Sequence, residues 1–190
     1  MAFDPIGRIA AWITASAYVE PASQLNGGWE KWATTDITLY LLAQAYDVIP
    51  QAHSFTNTES SDIEVIQSAP GGGALAPRLH TDIIEMKCSG WPIGNDLVGF
   101  MQGIQDDAKK LYVNQLDGAI LAGGATHTKW AIGIVRRRQN HSFIDLENDL
   151  TAAYPNYPNI VFQHPVGTNR QYQLRTQMSG EFFILWCNPT

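Results

Sequence analysis

The segment Asp82-Ile83-Ile84-Glu85-Met86-Lys87-Cys88 holds an acid and a lysine two residues apart inside an apolar run. Side chains alternate along an extended chain, so Glu85 and Lys87 share a face. A buried carboxylate beside a buried ammonium is costly unless the two are paired or bound to a metal. The pairing has a chemical use: the carboxylate holds a divalent cation, and the lysine orients or activates the water that attacks a phosphodiester. Such a short pattern arises easily. With 18 acids and five lysines in 190 residues, chance supplies roughly half a match per chain. Asp107 and Lys109 are a second match, but they fall on a predicted helix, where residues two apart do not face the same way. Context singles out 85 and 87, in a strand that follows another acid-bearing strand and precedes an amphipathic helix.

The upstream acid is Asp62, in "SSDIEVIQS". If 61–68 and 80–88 are hairpin neighbours, Asp62 can face Glu85. Asp82 is its rival, but three residues from Glu85 it points to the opposite face of a regular strand and needs a bulge to join. Glu64 shares the face of Asp62, as a second carboxylate or a solvated one. Glu30 lies on the side of a predicted helix shared with Ala33, Ile37 and Leu41, where an acid calls for a reason; a first-turn acid is also favourable by itself. Cys88 alternates away from Glu85 and Lys87 and reads as a core thiol rather than a nucleophile partnered by His80 or His127. The histidines at 53, 80, 127, 141 and 164 show no metal-ligand spacing. Gly71–Gly73 reads as a hairpin link, Lys109 and Lys110 as solvated partners of Asp106 and Asp107. Trp91 and Trp130 read as packing groups that can also stack on bases.

Apolar spacing supplies the elements that must carry these residues. A short helix is predicted over 9–17. A second, over about 28–46, has Trp29, Trp32, Ala33, Ile37, Tyr40, Leu41 and Tyr46 on its stripe. "VIPQAHSF", "SDIEVIQS" and "LHTDIIEMKC" read as three successive antiparallel strands. Asn95 caps a helix predicted over about 96–116. "KWAIGIVRRR" is a fourth strand. Ser142 and Asp145 resemble a capping box opening a helix over about 143–153. "NIVFQHP", "QYQLRTQM" and "EFFILWCN" read as three further strands. The expected class is α/β or α+β around a central sheet.

Composition bounds the class of protein. The hydrophobic share is 45% and the charged share 16%, which excludes a disordered chain and a coiled coil. No apolar run reaches the ~18 residues of a membrane helix, and Asp4 and Arg8 make the opening residues a poor secretory signal. Two cysteines are too few for a disulfide framework or a four-cysteine zinc site. A cytoplasmic, intracellular location is expected, without membrane association. The net charge of −6 is uneven: residues 1–128 hold six basic and fourteen acidic groups, residues 129–190 six and four. Arg136, Arg137 and Arg138 are the densest basic run, a solvated strand end or a backbone-binding patch.

A helix with Glu30, a strand, a strand with Asp62, a strand with Glu85-x-Lys87, a helix and a strand form an order that resembles the PD-(D/E)XK, or restriction-endonuclease-like, nuclease superfamily. The resemblance covers about residues 28–137. It implies one α/β domain over 1–190, with an α-β-β-β-α-β core, a mixed central sheet flanked by helices, and extra C-terminal strands in about 140–190. It also implies a metal-dependent endonuclease acting on DNA or RNA with Mg²⁺ or Mn²⁺. Carried over by position, Asp62, Glu85 and Glu30 serve the metal site, the Met86 carbonyl is a further ligand, and Lys87 serves the attacking water. Arg136, Arg137, Arg138 and Lys109 would hold nucleic acid. The family commonly has proline before the aspartate; Ser61 stands there. An inactive binding module of the same fold is the alternative. Residues 140–190 are left to substrate choice or a homodimer contact.

Overall fold

The computed structural model describes residues 3–24, 29–70, 76–89, 97–137 and 140–190. Asn95, Gly71–Gly73, Trp91 and Arg138 lie outside them. Helix α1 (Pro5–Ala15) begins where Asp4 accepts the Gly7 N–H at 3.1 Å and Pro5 takes the first helical position. Short α2 (Val19–Ala22) leads to α3 (Trp29–Ala43). Strands β1 (Asp47–Pro50), β2 (Ile63–Ser68) and β3 (Arg78–Ser89) follow, then α4 (Leu97–Val113), one-turn α5 (Gly118–Leu121) and β4 (Thr126–Arg136). Helix α6 (Phe143–Ala153) opens on the predicted capping box, with Ser142 and Asp145 each satisfying the other's backbone. Strands β5 (Asn159–Gln163), β6 (Asn169–Gln173), β7 (Arg175–Ser179) and β8 (Phe182–Cys187) complete the chain.

Two predicted strands are shorter than their composition suggests. The run 48–55 stops at Pro50, because Gln51 adopts a left-handed φ of 50° and turns the chain. The run 171–178 divides at buried Leu174, leaving β6 paired with β5 and β7 paired with β8 in a different sheet.

The main sheet has the order β1-β2-β3-β4-β8-β7. Only β3 and β4 are parallel, and α4 lies in the long crossover that parallel neighbours require. The fold is therefore α/β with a mixed six-stranded sheet flanked by helices, and β8 belongs to that sheet beside β4. Alternation sends Ile84, Met86, Ile132 and Ile134 to one face, against α1 and α3. Ile83, Ala131 and Val135 go to the other, against α4 and α6. Both faces of β3 and β4 are covered, so these strands read as apolar runs. No helix among the described residues is long and apolar enough to cross a membrane.

Candidate active site

The β2–β3 register pairs Ile63 with Ile84. One step on, Asp62 stands opposite Glu85, the last point at which β2 covers β3. Beyond it β3 overhangs, and the edge N–H groups that β2 no longer reaches take carboxylates instead. Asp62 Oδ2 accepts the Met86 N–H at 2.7 Å, and Glu30 Oε2, from α3, accepts the Cys88 N–H at 3.2 Å. Buried backbone donors need partners, so these two acids are fixed by the strand they serve. Gln51 holds Asp62 from the other side: its N–H donates to the Asp62 carbonyl at 2.9 Å and its carboxamide to Oδ1 at 3.3 Å.

Glu85 and Lys87 face α4, as alternation predicts. Glu85 is 3% exposed and its Oε1 lies 2.8 Å from Lys110 Nζ, an ammonium that also donates to the Ser60 carbonyl at 2.6 Å. Lys87 Nζ donates to Glu30 Oε1 at 3.0 Å and lies 3.9 Å from Asp107 Oδ2. That Asp107 oxygen is buried with no hydrogen-bond partner. The lysine stem runs over Gly103 of α4, where a Cβ would meet Lys87 Cδ at 2.8 Å.

Burial, and then the Asp62 carboxylate opposite, pushes the Glu85 carboxyl up to about 8, with Lys110 opposing. Burial raises Asp107 to about 7 against the pull of Lys87. Burial lowers the Lys87 ammonium, but Asp107, Glu30 and Asp62 outweigh it and hold the group above its ordinary value. Lys87 is therefore a persistent cation and a poor base. Burial, with Glu30 and Asp62 adding, raises the Cys88 thiol well above its ordinary value, which disfavours its thiolate.

Asp82 sits elsewhere. It is 1% exposed on the face opposite Glu85, accepting from Gln67 at 3.0 Å and from the Trp130 indole at 2.8 Å, with His80 at 3.4 Å. Glu64 is also buried; it accepts the Ser54 hydroxyl at 2.6 Å and pairs with Arg78 at 3.9 Å. Among the described residues no three His, Cys, Asp or Glu side chains are gathered as a metal cage. The acids are divided instead, Asp62 facing Glu85 and Glu30 tied to Lys87 and the β3 edge. Asp62 and Glu30 thus both stand on the overhanging edge of β3, and Glu30 reaches Lys87 as well. The Asp62–Glu85 pair with the Met86 carbonyl remains a fitting donor set: all oxygens, as Mg²⁺ and Mn²⁺ prefer, with mutual repulsion that a cation would relieve.

Of the expected basic patch, Arg136 and Arg137 are engaged within the fold and Arg138 lies outside the described residues. Arg136 is 7% exposed; it pairs with Glu20 and donates to the Ser23 hydroxyl at 3.3 Å. Arg137 pairs with Glu181 at 2.7 Å, donates to the His141 carbonyl and lies over the Phe143 ring. Charge density along the sequence does not reveal that Arg136 and Arg137 each meet an acid distant in the chain. Lys109 is exposed on α4, while its neighbour Lys110 enters the site. Gly103, Asp107 and Lys110 form an i, i+4, i+7 stripe of α4, a helical spacing that a two-residue pattern does not pick out.

Comparison of the chain with protein-family models, with curated proteins and with solved structures gives no match.

Proposed function

We propose that this chain is a metal-dependent phosphodiesterase of the PD-(D/E)XK type, acting on nucleic acid. The observation that carries the reading is Asp62 opposite Glu85 on adjoining strands, with Lys87 on the Glu85 face and held as a cation by Glu30 and Asp107. Asp62, Glu85 and the Met86 carbonyl would hold Mg²⁺ or Mn²⁺. When bound, the cation polarises the phosphate and acidifies water. Lys87 holds the attacking water by hydrogen bond and offsets charge developing on the phosphate oxygens. Glu30 aims Lys87 and is a positioning residue. Lys110 steadies Glu85 from α4. Plasmid and single-stranded substrates with Mg²⁺ or Mn²⁺ test the reading. Glu85→Ala and Lys87→Ala are each expected to lower cleavage at least ~100-fold; activity that survives either change removes the assignment.

A binding module without hydrolysis is the second reading. It is favoured by the way the acids already satisfy one another's surroundings, Lys110 on Glu85 and Lys87 on Glu30. Calorimetric titration separates the two. The enzyme reading expects Mn²⁺ heat that vanishes in Asp62→Asn; the module reading expects none.

A further inference from the structure

A groove of about 620 Å³ runs along α3 and ends on Glu30 and Asp62. It lies within the roughly 300–1,000 Å³ of ligand-binding clefts and shares two acids with the site above. Its long wall is one face of α3, where Thr35, Thr38, Leu39 and Leu42 recur at helical spacing. Pro50 and Gln51, at the turn that ends β1, form the opposite wall.

The chemistry of this lining is uneven. Leu39 and Leu42 are 59% and 46% exposed, two leucines open to water in one groove. The Thr35 and Thr38 hydroxyls donate to the Lys31 and Thr34 carbonyls one turn back, at 2.9 and 2.7 Å, so these residues contribute mainly methyl groups. Among the described lining residues Lys31 is the sole cation, against the two acids Glu30 and Asp62 in number. A phosphate backbone laid here would meet two carboxylates and hydrocarbon. A flat, weakly polar ring would bury the leucines and leave its edge to the Gln51 carboxamide.

We propose that this groove takes unpaired nucleobases flanking the scissile phosphate, so that the substrate is single-stranded or locally unpaired nucleic acid. The proposal rests on the phosphodiesterase reading for the position of that phosphate. Bases in a closed duplex are stacked and paired inside it, and must leave the helix to enter a protein pocket. Apolar contact with a base face does not depend on base identity, so the groove predicts a preference for unpaired strands with little sequence preference.

The test uses the double variant Leu39→Gln/Leu42→Gln. Both positions are exposed, and glutamine keeps helix propensity without adding charge; a thermal melt verifies the fold. Binding of fluorescein-labelled short oligonucleotides is read by anisotropy in EDTA, and cleavage is read in Mn²⁺, each on single strands, on matching duplexes and on single strands with abasic spacers. The wild-type chain is expected to prefer the single strand to the duplex. The variant is expected to weaken single-strand Kd and raise KM about tenfold with kcat within about threefold; tenfold is about 1.4 kcal/mol, the order of what covering two exposed leucine side chains contributes. On abasic strands the two proteins should be alike, which a merely structural change would not produce. Duplex cleaved as well as single strand, or a variant indistinguishable on base-bearing strands, overturns the groove. Leucine-dependent binding without cleavage keeps the groove and overturns the catalytic reading. Cleavage indifferent to the leucines does the reverse, and failure to bind any oligonucleotide overturns both.

Discussion

Replacing Gly103 by alanine separates what Lys87 contributes to activity from what it contributes to stability. Gly103 lies in the interior of α4, where glycine is about 1 kcal/mol worse than alanine. An added Cβ would stand 2.8 Å from Lys87 Cδ, 2.9 Å from Cε and 3.0 Å from Cγ. All three contacts are with one flexible side chain, so the lysine gives way rather than the helix. Displacing it breaks its 3.0 Å bond to Glu30. That pair is partly exposed, 28% and 38% for the two side chains, and such pairs contribute between about 0 and 1 kcal/mol. Unfolding free energy should therefore stay level or rise by up to about 1 kcal/mol. Misplacing a catalytic group by about 1 Å can lower a rate about 100-fold, so cleavage should fall by one to two decades.

Urea unfolding gives the first quantity and single-turnover cleavage in Mn²⁺ the second. Wild-type cleavage in a folded Gly103→Ala protein would refute the claim that Lys87 acts from this position. A loss of more than about 2 kcal/mol would refute the claim that the lysine yields first.

Gly133 faces α4 with less tolerance: a Cβ there would clash with Ile104 Cδ1 and meet Phe100 Cζ at 2.9 Å, so Gly133→Ala should destabilise by about 1–3 kcal/mol in the same urea experiment. Arg136→Ala removes a buried side chain together with its pairing to Glu20 and its bond to the Ser23 hydroxyl and should lower stability by about 1–3 kcal/mol, with oligonucleotide Kd unchanged; a weaker Kd at full stability would restore the arginine to the substrate surface. Glu85 and Asp107 have native pKa values above their unfolded ones, so the stability they contribute is full below about pH 4 and lost as pH rises through about 7 to 8. Metal-free protein should therefore be less stable at pH 8 than at pH 4. Mn²⁺ should recover part of this at pH 8 and none at pH 4; a flat profile by thermal or urea unfolding removes both groups as titrating partners.

Much of the frame was legible because local rules and tertiary demands agree. The Ser142–Asp145 box fixes the start of α6 whatever packs around it, and the Trp29–Leu41 stripe fixes α3. The pairing of Asp62 with Glu85 followed from alternation plus a hairpin, two facts the sequence carries. Other features depend on partners far along the chain. Arg136 looks like a surface cation until Glu20, 116 residues away, closes on it. The β6–β7 break at Leu174 turns on which sheet buries that one side chain. The partners that Glu30 has in the fold, the Cys88 N–H and Lys87, are not legible from its place on a motif. Register alone decides that, and register is set by the whole sheet.

The four carboxylates around β3 and α4, of Glu30, Asp62, Glu85 and Asp107, face two ammonium groups, of Lys87 and Lys110. Fully ionised, the set keeps an excess of two negative charges in a mostly buried place. That excess has two chemical remedies. Two protons can neutralise it, and the two carboxyls pushed toward neutral pH are Glu85 and Asp107. One divalent cation can do the same while leaving every acid ionised. The proposed metal and the raised acids are then two answers to one imbalance. Protons and the proposed cation therefore compete for the same carboxylates, so added Mn²⁺ should release protons from the folded chain near neutral pH.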